Sequence, residues 1–168
     1  FERGKSLNRI IGQLASAIEA FTKAKEAAEN ASTSLASPIQ AREDAIAALA
    51  ENFAVDLWNE AEELFSESAR NLETGNTEAA TERAKKAESL YRDAELEGIK
   101  AQHLSHTRSL IAQAEQIEVP QYAPKTFAKA KSLLAQAEAE LNKNRYEVGL
   151  PGELTKQADY ETRHAELI

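Results

Sequence analysis

The sequence contains no cysteine and no methionine, and it has few glycine, proline and aromatic residues. Without cysteine, the chain cannot form a disulfide, a thiolate nucleophile or a cysteine metal site. Six glycines and four prolines in 168 residues provide few turns, so the regular elements must be long. No run of about 18 apolar residues is present that could cross a membrane. These absences exclude cysteine chemistry and direct membrane insertion, and they favour a fold of long elements.

Positive charge is also in deficit. Lysine and arginine total 20 against 28 aspartates and glutamates, which gives a net charge of −8 and a pI near 5.0. Binding to nucleic acid requires a basic surface that displaces counterions from phosphates. Docking on anionic lipid has the same requirement. We therefore expect no nucleic-acid partner and no lipid-surface partner.

Alanine and charged residues dominate what is present, and this composition is typical of long helices and coiled coils. Apolar positions from Ile10 to Ala31 alternate in steps of 4 and 3 residues, which is the heptad pattern of a helix that packs along one side. The composition and the heptads together predict an all-α, elongated, coiled-coil-like bundle.

The heptad pattern repeats along the chain. Five positions recur 69 residues later: Trp58, Ala61, Phe65, Ser68 and Leu72 become Phe127, Ala130, Leu134, Ala137 and Leu141. A second set recurs after 70 residues: Ile10, Leu14, Ala17, Phe21, Ala24, Ala28 and Ala31 become Ala80, Ala84, Ala87, Tyr91, Ala94, Gly98 and Ala101. A period of this length is typical of helical arrays. We expect residues 1–37 to be the final helix of a preceding repeat, 38–106 the first repeat unit and 107–168 a truncated second one, in a fragment of a longer protein.

Turn residues and caps set the expected helix limits. We predict helices over Lys5–Leu35, Ile39–Asn52, Leu57–Leu72, Thr77–Ile117 and Pro124–Asn142, and one from Glu153 onward. Pro38 should break or kink the first helix, and Asp56 and Thr77 should act as N-caps. Gly75 should close a helix, Gly98 could bend one, Val119–Pro120 should end one, and Gly149–Gly152 should form a loop.

The sizes of the heptad residues predict the packing. Alanines dominate the helix that starts at Thr77, whereas the Leu57–Leu72 helix carries large residues that can fill the grooves between them. We expect these two helices to form an antiparallel hairpin, and the Pro124–Asn142 and Glu153 helices to form a second. Trp58 and Tyr91 should then belong to the core.

Candidates for chemistry are few. His103 and His106 could share a metal ion, but no third ligand is suitably spaced, so we expect two exposed histidines. Several carboxylates should form a hydrated face paired with Arg83, Lys85, Lys86 and Lys131: Glu60, Glu62, Glu63, Glu67, Glu138 and Glu140. Ser66, Ser68 and Thr81 have no His/Asp partner at suitable spacing. We predict no catalytic residue, no cofactor site and no metal site, and therefore no enzyme.

The stretch from Ala41 to Leu96, with Phe53-Ala54, Leu72-Glu73-Thr74-Gly75-Asn76 and Asp93-Ala94-Glu95-Leu96, resembles a bacterial helical domain of unknown function. Gln121-Tyr122-Ala123-Pro124 matches the junction of that family, where the first unit has Val55 instead of proline. The resemblance covers about Gln40 to Ile168. It implies an envelope protein or lipoprotein, often with a following OmpA-like peptidoglycan-binding domain, and it transfers no catalytic residues.

Two functions remain open at this point. The first is a structural spacer or interaction stalk of the bacterial cell envelope, expected in the periplasm, whose partners are another protein, further repeats of the chain or a second copy. The alternative is a tetratricopeptide-like protein-binding or dimerisation module. A binding module should expose a contiguous apolar groove. The exposure of Leu49, Phe53, Leu57 and Leu64, which lie off the heptad positions, therefore distinguishes the two.

Overall fold

The computed structural model describes residues 2–168, apart from the side chains at positions 2–6, 27, 31 and 34. Every regular element in this range is an α-helix, which confirms the predicted all-α class. The helices are α1 (Glu2–Ala47), α2 (Ala50–Phe53), α3 (Val55–Glu73), α4 (Thr77–Gln116), α5 (Val119–Tyr122), α6 (Pro124–Lys143) and α7 (Gly149–Glu166). None of the helices in the described range is both long and apolar enough to cross a bilayer.

Helix α1 continues through Pro38, so the predicted break there and the separate helix Ile39–Asn52 are wrong. A proline inside a helix removes one backbone hydrogen bond and costs about 3 kcal/mol. Pro38 is fully buried, and Ala41 and Ala45 on the same side of α1 belong to the core. Because this side of α1 is packed from Pro38 to Ala45, burial offsets the missing hydrogen bond and the helix stays continuous.

The chain bends at Leu49, which adopts a left-handed backbone with φ 57°. The short helix α2 follows, and Ala54, with φ −132° and ψ 48°, leads into α3. Asp56 therefore does not cap α3 as predicted. It lies in the first turn, where its charge favours the positive end of the helix dipole. The second junction has Glu118 at φ 62° and starts α6 at the predicted Pro124.

Gly75 closes α3 as predicted, with φ 80°. Its amide donates to the Leu72 carbonyl at 3.0 Å, and the Asn76 amide donates to the Asn71 carbonyl at 2.8 Å. These two bonds form a Schellman motif. The cap of α4 is Asn76, whose Oδ1 accepts from the Ala79 amide at 3.3 Å. The predicted cap, Thr77, is instead the first residue of α4.

Helix α4 is unbroken over 40 residues, about 60 Å at 1.5 Å per residue, which confirms the predicted helix to within one residue. Gly98 does not interrupt it. A Cβ built at Gly98 would lie 2.3 Å from the Ala48 carbonyl oxygen, so glycine permits a close approach of α1. Helix α4 ends at Gln116, directly before Val119–Pro120 as predicted, but these two residues begin the short helix α5.

Helix α7 begins at Gly149, so the predicted loop Gly149–Gly152 is also wrong. The first turn of a helix has amide groups without intrahelical acceptors, and proline is therefore tolerated there. Pro151 occupies that turn and is fully buried. Its packing explains why helical structure begins four residues before Glu153.

Two groups of helices form the core. The end of α1, α3 and the first half of α4 enclose one cluster, in which Tyr91 is fully buried and the half-buried Trp58 lies 5.4 Å from its ring. The second half of α4, α6 and α7 enclose the other, in which Phe127 is buried. In the first group, Ser68 of α3 donates to the Ala80 carbonyl of α4 at 2.7 Å. The core assignment of Tyr91 is thus confirmed.

Candidate interaction surfaces and ionic clusters

The first half of α1 presents a bare apolar surface. Every side chain from Leu7 to Glu26 is exposed. Six large apolar residues in this stretch have exposed fractions between 53% and 73%, and we call them the α1 face: Leu7, Ile10, Ile11, Leu14, Ile18 and Phe21. Residues three and four apart lie on one side of a helix, so these six form a contiguous strip. An exposed apolar strip of this kind is a candidate interaction surface.

A second apolar surface lies at the first junction, and we call Leu49, Phe53 and Val55 the junction patch. All three are exposed, and Phe53 and Val55 line an open groove beside Leu57 and Glu97. Leu57 and Leu64 are half-buried and pack on the core. Of the four residues chosen to distinguish a binding module from a spacer, two are therefore exposed.

An ionic cluster joins α1, α3 and α4 around Glu62. Arg42 donates two hydrogen bonds to the Glu62 carboxylate, at 2.5 and 3.2 Å, and the Tyr91 hydroxyl donates a third at 2.6 Å. The Arg42 guanidinium also lies 5.4 Å from the centre of the Trp58 ring, within range of a cation–π interaction. One carboxylate thus receives donors from two other helices.

The cluster changes the protonation of its members. Burial raises the pKa of Glu62, but the hydrogen bonds from Arg42 and Tyr91 outweigh it, so this pKa lies below its ordinary value. Burial, followed by the hydrogen bond to Glu62, raises the pKa of Tyr91. The hydrogen bond to Glu62 raises the pKa of Arg42. At neutral pH the cluster is therefore an ion pair hydrogen-bonded to a neutral tyrosine.

A second cluster surrounds Glu95, a carboxylate only 2% exposed. Arg92 donates to Glu95 Oε2 at 3.0 Å and to Asp44 Oδ2 at 2.6 Å. Arg145, from the loop between α6 and α7, also donates to Glu95 Oε2 at 3.0 Å and to the Arg92 carbonyl. The hydrogen bond from Arg92 lowers the pKa of Asp44. Arg92 of α4 and Arg145 of the α6–α7 loop therefore meet at one buried carboxylate, and Arg92 links this carboxylate to Asp44 of α1.

The histidines lie on the surface. His103 is exposed, and His106 is 70% exposed with its Nε2 atom 3.5 Å from Asp159 Oδ2. Within residues 2–168, as far as side chains are described, no three His, Cys, Asp or Glu residues lie close enough to hold a metal ion. His164 is also exposed, beside the ring of Tyr160.

The carboxylates expected on a hydrated face behave differently from one another. Glu60 and Glu63 are exposed, and Glu67 pairs with the predicted Arg83 at 3.2 Å. The other expected cations have other partners, such as Glu115 for Lys131 and Glu82 for Lys86. Glu138 pairs with Arg108 and Glu140 with Lys143. The prediction of a hydrated face is wrong for Glu62, which is half-buried and accepts three hydrogen bonds.

The sequence did not identify the Glu95 cluster, because its members are far apart in the chain: Arg145 lies 50 residues after Glu95 and Asp44 lies 48 residues before Arg92. The one local signal is that Glu95 follows Tyr91 by four residues, which places a carboxylate on the side of α4 that carries a core aromatic. No protein-family model, no curated protein and no solved structure matches this chain.

Proposed function

We propose that this chain is a non-catalytic spacer built from two copies of one helical unit that are joined through α4. The observation that carries the proposal is the agreement of the two junctions at an interval of 69 residues. Leu49 and Glu118 are both left-handed, at φ 57° and 62°. Ala54 and Ala123 share φ values of −132° and −126°. A non-glycine residue with positive φ is uncommon, so its recurrence at this interval supports a repeated unit.

Burial follows the same interval. Ala61, Ser68 and Leu72 are buried, and so are their counterparts 69 residues later, Ala130, Ala137 and Leu141. Further along, the interval becomes 71 residues. The buried positions Ala80, Ala84, Ala87, Tyr91 and Ala94 of α4 correspond to Pro151, Thr155, Ala158, Thr162 and Ala165 of α7, all buried. The change of two residues equals the difference between the connections, which are residues 74–76 and residues 144–148. We therefore place the units at 38–106 and 107–168.

A spacer must hold its ends at a fixed separation, and two features support that role. Helix α4 belongs to both units, since its first half packs with α3 and its second half with α6 and α7. In addition, the Glu95 cluster joins Asp44 of the first unit to Arg145 of the second. A continuous helix with a buried ionic contact across the unit boundary resists bending at that boundary. Repeat number would then set the reach of the protein.

The proposed place of action is the periplasm of the bacterial envelope, and it is supported by the family resemblance of the two units. The parent gene tests it directly. A signal peptide upstream, together with an envelope-binding domain or further repeats downstream, would support a stalk. A cytosolic reading frame that carries a catalytic or signalling domain would contradict it.

Duplication of one unit tests the spacer itself. A second copy of residues 49–117 is inserted after Ile117, so that each new boundary reproduces the native step from α4 into a left-handed residue. The longest dimension in small-angle X-ray scattering should increase by one unit, with helicity per residue unchanged in circular dichroism. A matched control inserts residues 60–128 at the same place, which shifts the unit out of phase and should unfold. An in-phase chain that aggregates, or one that does not lengthen, would contradict the proposal.

A second candidate function is a protein-binding or dimerisation module, which the exposed α1 face and the exposed Phe53 favour. Such surfaces are rare on proteins that only separate other domains. The two functions are compatible in one chain, because the α1 face lies outside both units. They are distinguished by Leu14→Glu on the α1 face, which should abolish association and leave the length added by an inserted unit unchanged.

A further inference from the structure

The α1 face differs from its counterpart on α4. Seventy residues after Ile10, Leu14 and Phe21 stand Ala80, Ala84 and Tyr91, all buried within the chain. The alanines of α4 are small because α3 supplies large side chains, Trp58 and Phe65 among them, to the same contact. On α1 the large residues are on the helix itself. A helix of the α3 type would therefore place its large side chains against the large side chains of α1. The α1 face requires a different partner.

The heptad positions of α1 indicate which partner. The core positions a and d alternate in steps of 4 and 3 through Leu7, Ile11, Leu14, Ile18 and Phe21. In this register Ile11 and Ile18 occupy a, and Leu7, Leu14 and Phe21 occupy d. Isoleucine at a with leucine at d is the combination that favours two parallel helices over three or four. The residues 70 positions after Leu7, Ile11 and Ile18 are Thr77, Thr81 and Glu88, so this apolar core is specific to α1.

The flanking positions also suit a second copy. Positions e and g, which lie beside the core of a coiled coil, carry only uncharged residues between Leu7 and Ala24: Asn8, Ile10, Ala15, Ala17, Thr22 and Ala24. The charges of this stretch, Arg9, Glu19 and Lys23, all fall on the outer positions b and f. Glu19 and Lys23 pair with each other at 2.8 Å. Between Leu7 and Ala24, two identical helices in register would therefore meet no like-charge repulsion. The apolar core ends there, because Lys25 occupies the next a position.

We propose that the α1 face is a homodimerisation surface, on which a second copy of this chain docks as a parallel, in-register, two-stranded coiled coil through Ile11, Leu14, Ile18 and Phe21. The inference deepens the second candidate function and does not depend on the spacer role. Since residues 7–26 make no contact with either unit's core, the dimer would leave both units in place. The two chains of the dimer would lie side by side, joined at the α1 end of each.

The test begins with the oligomeric state of the whole chain. Light scattering coupled to size exclusion should give twice the monomer mass of 18.4 kDa at high micromolar concentration. Leu14→Glu should give the monomer mass, because it places two carboxylates in the apolar core. Gln13→Glu adds the same charge on an outer position of the same helix and should remain dimeric. The fluorescence of Trp58, the single tryptophan, reports on the first unit and should show a cooperative unfolding transition in all three proteins.

Cysteine cross-linking tests the orientation in a chain that has no native cysteine. In a parallel dimer both Leu7→Cys and Leu14→Cys should oxidise to disulfide-linked dimers. In an antiparallel pair centred on Leu14, position 7 would face Phe21, so only Leu14→Cys would cross-link. That pattern would overturn the parallel arrangement.

Other occupants of the face give other results, and each would overturn the proposal. A monomer at every concentration means that no second copy binds there, and a trimer or tetramer means that the two-stranded prediction is wrong. A monomeric chain that binds a synthetic peptide of residues 54–74 would show that the face takes an α3-type helix. A Leu14→Glu variant that remains dimeric would place the interface elsewhere. None of these results changes the scattering test of the spacer.

Discussion

Gly98 of α4 lies directly against the backbone carbonyl of Ala48, where α1 ends. A Cβ at position 98 would lie 2.3 Å from that oxygen and 3.1 Å from the carbonyl carbon. Because Ala48 precedes the left-handed Leu49, this contact fixes the point at which the chain leaves α1. The side-chain amide of Gln102, one turn further along α4, donates to the same carbonyl at 2.8 Å. Gly98 has no positive φ, so glycine is required here because it lets α4 approach the end of α1 closely.

Gly98→Ala should destabilise the protein although alanine is the better helix former. Helix propensity alone would add about 1 kcal/mol of stability. The carbonyl oxygen of Ala48, however, belongs to the backbone and cannot move aside as a flexible side chain can. Overpacking of this kind costs about 1–3 kcal/mol. The free energy of unfolding, measured in urea by circular dichroism, should fall by up to about 2 kcal/mol, the difference between these two effects. Gly152→Ala is the matched control, because a Cβ there has no neighbour within 4 Å, and it should not lower stability. A stabilised Gly98→Ala variant would contradict the close contact.

Arg145→Ala should weaken the link between the two units. Glu95 is 2% exposed, and loss of one of its two arginine partners leaves a buried carboxylate with an unmet hydrogen bond, at about 1–3 kcal/mol. Urea unfolding should show that loss, and amide exchange should rise in α7 and in the α6–α7 loop. The control is Lys156→Ala, whose pair with Glu153 is largely exposed and contributes less than about 1 kcal/mol. Equal effects of the two substitutions would argue against the buried cluster.

Stability should decline in acid partly because of Glu62. Its folded-state pKa is lowered from 4.5 by Arg42 and Tyr91, against burial, so the unfolded chain binds a proton at this site before the folded chain does. The contribution of Glu62 is therefore complete above about pH 4.5 and is lost as the pH falls through the folded value. Glu62→Gln should flatten this part of the stability–pH curve, by less than about 1 kcal/mol because the site is partly exposed to solvent. A stability–pH slope for Glu62→Gln equal to that of the unsubstituted chain would contradict the predicted shift.

Glu118→Gly should stabilise the protein. Glu118 has φ 62°, and a residue with a Cβ pays about 1–2 kcal/mol for a left-handed backbone that glycine adopts freely. After the entropy cost of glycine is subtracted, thermal unfolding should show a gain of about 0.5–1 kcal/mol. Glu115→Gly, three residues earlier inside α4, is the control and should lose about 1 kcal/mol. If Glu118→Gly is as destabilising as Glu115→Gly, the left-handed turn is absent in solution.

The sequence predicted those parts of the fold that depend on local chemistry. Periodicity and composition gave the helical class and the length of α4, Gly75 marked the end of α3, and Pro124 marked the start of α6. Each of these rests on a residue whose backbone preference dominates its position. Pro38 and Pro151 have equally strong preferences, but both are fully buried, and packing kept helical structure around them.

Long-range contacts account for what the sequence could not predict. Leu49 and Glu118 have no intrinsic preference for positive φ, so the left-handed turns arise from the packing of the elements on either side. The Glu95 cluster depends on Arg145, 50 residues away, and no local spacing predicts it. The sequence could not predict the exposure of the α1 face either, because the heptad pattern around Leu14 and Phe21 is the same whether or not a partner helix covers it. The resemblance to an envelope domain indicated no interaction site.

The most direct test of a fixed spacing is a distance measured along α4. Ser89→Cys and Ser109→Cys, both exposed, can carry spin labels in a chain without native cysteine. Twenty residues of continuous helix separate their backbones by about 30 Å, and Gly98 lies between them. Double electron–electron resonance, made in the Leu14→Glu background to exclude distances between copies, should give one narrow distribution near that value. A broad distribution, or a second population at clearly shorter distance, would mean that α4 bends at the unit boundary and that the chain does not hold a fixed separation.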